Sequence, residues 1–83
     1  NPNLFSMYPV PTAGEVTLSL DKISASTFNL AVTSVDGKVV RQEEVRKNSN
    51  SFNMDLSDLS NGTYFVRITT DNETSINKIV IEK

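Results

Sequence analysis

Asp55, Asp58 and Asn61 bring three side-chain oxygens close together along the chain, and the first chemistry to weigh for them is calcium binding. A calcium loop needs a denser ladder of acidic ligands and a closing bidentate glutamate. This spacing has neither, and Asp58 reads instead as a cap for one turn of helix. Asp71-Asn72-Glu73 reads as a hairpin turn. Asn61-Gly62-Thr63 and Asn72-Glu73-Thr74 match the Asn-x-Thr acceptor of N-linked sugars, a match that polar turns produce from composition alone. Phe5, Tyr8 and Phe65 could form an aromatic strip for a sugar or a protein partner; against that stands ordinary packing at a sheet margin. The serines, lysines and glutamates form no nucleophile elbow, oxyanion donor set or glycine-rich phosphate cradle. With no cysteine and no histidine in 83 residues, disulfides, thiol nucleophiles, Cys/His zinc sites and the usual neutral-pH base are all excluded. The expectation is a module that is not an enzyme, with no cofactor and no metal.

The elements that would hold these residues centre on Asp55 to Ile68. Phe52, Met54 and Leu56 alternate with Ser51, Asn53 and Asp55, the period of a half-buried strand. Ser57 and Asp58 then cap a turn, Leu59 returns an apolar side chain to the core, and Asn61-Gly62 supplies positive φ without steric cost. Tyr64, Val66 and Ile68 share the inner face of the next strand. A tyrosine two residues beyond the glycine fits the tyrosine corner of immunoglobulin-like sandwiches, whose hydroxyl bonds a backbone group upstream. No cysteine stands at Val66, so the inter-sheet disulfide of antibody domains is absent.

Elsewhere the chain alternates in the same way. Leu4 to Tyr8 is a short edge strand stopped by Pro9-Val10-Pro11, with a turn at Thr12-Ala13-Gly14. Val16, Leu18 and Leu20 face inward, then Phe28, Leu30 and Val32, with Asn29, Ala31 and Thr33 outward. Ser34 to Lys38 is a type I turn followed by Gly37 in the left-handed region. Alternation fails over Arg41-Gln42-Glu43-Glu44, which marks a bulged or exposed edge strand guarded by charge. Arg46 to Ser51 is expected to be the most mobile loop. Thr70 to Thr74 turns into the last strand, where Ile79 and Ile81 point one way and Lys78, Val80 and Glu82 the other. Seven short strands without a helical period imply an all-β, immunoglobulin-like antiparallel sandwich over residues 1–83.

Apolar residues make up 37% and charged residues 22%, which suits one small folded domain of about 5 kcal/mol stability. A net charge of −2 gives no basic face for nucleic acid, and the chain has no apolar run long enough to insert in a membrane. Asn1-Pro2-Asn3 reads as the interior of a longer chain, so the domain is expected to be excised from a larger precursor.

Four motifs in order resemble the type A C-terminal sorting domain of the type IX secretion system of Bacteroidota. Tyr8-Pro9-Val10-Pro11-Thr12-Ala13-Gly14 resembles the opening Tyr-Pro-Asn-Pro-x-x-Gly, with Val10 in place of asparagine. Gly37-Lys38-Val39-Val40 resembles the Gly-Lys hairpin, with Ser34 where an aspartate is common. Asp55-Leu56-Ser57-x-Leu59-x-x-Gly62-x-Tyr64 resembles the corner, and Lys78-Ile79-Val80-Ile81-Glu82-Lys83 the terminal segment. The resemblance implies a secretion signal: transit through the periplasm, recognition by the outer-membrane translocon, removal by a sortase-like peptidase, and cargo left at the cell surface or released. Residues 78–83 are the expected recognition strip, an edge strand open to partner addition, and exposed strands leave homodimerisation open. The competing expectation is an immunoglobulin- or fibronectin-III-like structural or adhesive module with no sorting role.

Overall fold

The computed structural model describes residues 4–9 and 11–83. Two readings, of Asn1-Pro2-Asn3 as chain interior and of Val10 at the opening turn, lie outside the described residues.

Seven strands follow the alternating runs: β1 (Ser6–Tyr8), β2 (Glu15–Ser19), β3 (Thr27–Ser34), β4 (Val39–Arg46), β5 (Ser51–Asp55), β6 (Gly62–Thr69) and β7 (Thr74–Ile81). They pair antiparallel into a three-stranded sheet, β1-β2-β5, and a four-stranded sheet, β4-β3-β6-β7. Among the described residues there is no helix, and hence none long and apolar enough to cross a membrane.

Alternate side chains of β2, β3, β5, β6 and β7 enter the layer between the sheets, as the pleat requires, and β4 adds Val45 to it. The three-stranded sheet and its flanks supply Val16, Leu18, Leu20, Met54 and Leu56, and the other sheet supplies Phe28, Leu30, Val32, Tyr64, Val66, Ile68, Ile79 and Ile81. Each such burial is worth about 1.5–3 kcal/mol, so this one layer carries the fold. Phe5 is buried at its margin and Phe65 lies on the opposite, outer face, so the three aromatics Phe5, Tyr8 and Phe65 do not form a strip.

The polar run of β4 belongs to an edge strand, and its register slips between Val32 and Thr33. The following turn is tied down at both ends, by Lys47 N–H to Ser26 carbonyl and Leu20 N–H to Asn50 carbonyl, each at 2.7 Å. The mobility expected of Arg46 to Ser51 therefore has two backbone bonds against it. Gly37 takes φ 91° in a turn closed by Gly37 N–H to Ser34 carbonyl and Ser34 N–H to Lys38 carbonyl. The Ser34 hydroxyl also donates to the Asp36 carboxylate, a bond that an aspartate at this position could not make.

Candidate functional site

The corner is built from bonds that converge on one short loop. Leu59 N–H donates to Leu56 carbonyl at 3.0 Å, which closes the turn. Its cap is Asp55, whose Oδ1 accepts Ser57 N–H at 2.9 Å. Asp58, the residue expected to cap, instead pairs with Arg41 at 2.8 Å. Arg41 also donates to Asp55 carbonyl, so the β4 edge is strapped to the corner. The Ser57 hydroxyl, with its backbone N–H, holds the Asp55 carboxyl below the usual carboxylate range, and Arg41 adds to this. Tyr64 hydroxyl donates to Ser60 carbonyl at 2.8 Å, four residues upstream, the geometry of a tyrosine corner.

The opening motif locks onto both the corner and the last strand. Gly14 carbonyl accepts Leu56 N–H at 2.7 Å. Gly14 sits at φ 144° with room for no side chain, because a Cβ there would lie 2.9 Å from Ser57 Cα. Thr12 is the knot. It is buried, its hydroxyl accepts Gly14 N–H at 3.1 Å, and it pairs in parallel with Ile81. Its N–H donates to Val80 carbonyl at 2.9 Å and its carbonyl accepts Glu82 N–H at 2.8 Å. Pro9 and Pro11 flank this crossing on the exposed side.

The terminal strand is thus an edge strand whose closing end is already engaged. The expectation of free backbone groups along residues 78–83 needs that correction: Thr12 occupies the Val80 carbonyl and the Glu82 N–H. Ile79 and Ile81 are 0% and 1% exposed and belong to the core. Lys78, Glu82 and Lys83 are exposed and Val80 is half-buried. Lys83 rests on the corner, with Nζ to Ser57 carbonyl at 2.6 Å and its N–H to Asn61 Oδ1 at 3.1 Å. At the other end of β7, the inward polar pair Ser75 and Asn77 binds the opening segment: Leu4 N–H to Ser75 Oγ at 3.2 Å and Asn77 Nδ2 to Phe5 carbonyl at 2.8 Å.

The chain matches the family model for secretion system C-terminal sorting domains over residues 6–82. It belongs to that family. Among curated proteins none matches the chain. Type IX sorting domains are non-catalytic signals, which agrees with the lack of reacting groups in the sequence. Of the residues that carry the resemblance, Gly14, Asp55, Leu56, Ser57 and Tyr64 meet at the corner of the sorting domain, with half-buried Leu59 beside them, while Gly37 and Lys38 form a separate exposed turn. Gly62 at φ 153° begins β6.

Sequence reasoning missed Thr12, Asn77 and the outer face of the four-stranded sheet. Asn77 carried a signal, as a polar residue in step with inward Ile79 and Ile81. The outer face is read from the registers. Phe65 stands between Thr33 and Lys78, Arg67 between Ala31 and Ile76, and Thr63 opposite Val80. Ile76 is 55% exposed and Val39, opposite Thr33, 47%. Ala31 faces outward, as expected, yet is buried.

Proposed function

We propose that the type IX machinery reads this domain in its folded state, through the surface of its terminal strand. As a sorting domain of that system, it directs export to the outer membrane, the cell surface or the medium. The cargo, joined upstream, crosses the periplasm with the domain attached. A sortase-like peptidase then cuts upstream of the folded module and transfers the cargo to the cell surface.

The observation that carries this reading is the division of residues 78–83. Ile79 and Ile81 hold the strand in the core, while Lys78, Val80, Glu82 and Lys83 are left to be recognised. The partner therefore meets a rigid, pre-ordered surface, which lowers the ordering cost of association.

The test fuses residues 1–83 to a periplasm-directed reporter in a host that carries the type IX system. Reporter in the medium or on the cell surface, abolished by deletion of the translocon, is the expected result. A reporter that stays in the periplasm, although the fused domain is folded, would overturn the reading in favour of a structural or adhesive module.

A further inference from the structure

The outer face of the four-stranded sheet breaks the rule for a solvated sheet. A one-sided antiparallel sheet ordinarily turns polar residues to water. Here the middle of the face is apolar. Phe65 lies diagonal to both Ile76 and Val80 on β7 and to Ala31 on β3, and Val39 closes the row beyond Thr33. Contiguity separates this group from the scattered apolar residues of any surface.

Two cations stand within that apolar field. Lys78 is directly across from Phe65, and Arg67 directly across from Ile76. They are therefore diagonal neighbours, about 7 Å apart. Both are exposed, and among the described residues neither has a hydrogen-bond or ion-pair partner; the ion pair found there joins Arg41 to Asp58. On the same face Glu44 and Arg46 lie on β4, two strands from Arg67, and Glu82 follows the end of β7. In a domain whose net charge is −2, these two neighbouring cations make a small positive patch within an apolar field.

Resting on the reading of the domain as a folded signal, we propose that the outer face of the four-stranded sheet is the docking surface. Its occupant is an acidic protein surface of the secretion machinery, with two carboxylates flanking an apolar side chain. The carboxylates meet Arg67 and Lys78, and the apolar side chain covers Phe65, Ile76 and Val80. Thr12 favours this face over strand addition, because it already occupies the closing end of the β7 edge. An anionic membrane shares part of the chemistry, but two basic residues are fewer than the cluster of about four to eight that holds a protein on anionic lipid.

The same reporter fusion tests the docking face. The double variant Arg67→Glu/Lys78→Glu should export at least tenfold less than the unsubstituted fusion. Its purified domain should keep the same melting curve by circular dichroism. Arg67→Lys/Lys78→Arg should restore export, and Lys22→Glu, on the loop after β2, should not change it. If the double variant melts early, Arg67→Gln/Lys78→Gln carries the comparison. Unchanged export from a folded variant with both cations reversed or neutralised would overturn the docking face and leave the sorting role standing. An unsubstituted fusion that is not exported would remove the sorting role itself. The purified fusion should stay unbound in flotation with phosphatidylglycerol vesicles at physiological salt; flotation abolished by the double substitution would overturn the protein occupant in favour of a membrane.

Discussion

The two sheets of this sandwich turn very different faces to solvent. On the three-stranded sheet, Thr17 sits between Tyr8 and Asn53 and its hydroxyl bonds the Asn53 side chain at 2.9 Å, while Ser19 sits between Ser6 and Ser51. Glu15 is directly opposite Asp55. Apart from Tyr8, 53% exposed, the face is polar and acidic, as a wet sheet face should be. The four-stranded sheet shows Phe65, Ile76, Val80 and Val39 around two unpaired cations. The same strand period produced both, so the difference lies in residue choice on surfaces the core does not constrain. Stability does not demand an apolar, cationic outer face, and a partner does.

Five substitutions would break or sharpen that contrast. The largest separates the two sides of β7. Ile79→Ala should cost about 2–5 kcal/mol in urea unfolding, as a buried truncation, whereas Ile76→Ala should stay within about 0.5 kcal/mol. Equal costs would make the outer face a second core layer and end the comparison. Next, Gly14→Ala forces a Cβ against Ser57 Cα at a φ that side chains rarely adopt. A loss of about 2–3 kcal/mol is expected, read as a lower urea midpoint, because this contact fixes the end of the acidic face against the corner. Tyr64→Phe removes the bond to Ser60 carbonyl and should cost about 1 kcal/mol; a neutral result would show that the corner does not depend on the hydroxyl.

The smallest effect is on the acidic face itself. Glu15→Lys replaces a like-charge cross-strand pair with an opposite one and should stabilise the domain slightly, seen as a higher melting temperature near pH 7. The gain has a defined pH window. Asp55 is held below its ordinary value in the folded state, so its contribution is present above the unfolded pKa. It is lost as pH falls through the folded one, and the advantage of Glu15→Lys should fade below about pH 4. An advantage that persisded undiminished into that range would show that Asp55 is not its source.

Much of this architecture was legible in the residues. Period-two alternation located the strands, and Gly37 and Asn61-Gly62 marked turns because each needs a backbone conformation that glycine provides. Tyr64 was legible because the corner it serves is local, reaching only Ser60. What escaped reading depended on partners distant in sequence. Thr12 meets Ile81, and Asn77 meets Phe5, and nothing near either residue announces the other. Asp55 and Asp58 were equally good caps by type; Arg41, reaching in from β4, decided which was left for the turn. The apolar outer face needed the strand order, since Phe65 and Lys78 are neighbours only because β6 pairs with β7.

The central claim is that the machinery touches the four-stranded sheet and leaves the acidic face alone. Site-specific photo-crosslinking in exporting cells tests this most directly, with the reactive residue placed at Ile76 in one fusion and at Glu15 in another. Adducts with a component of the type IX system from position 76, and none from position 15, are the predicted result. Adducts from position 15 and none from position 76, in fusions that are both exported, would contradict it.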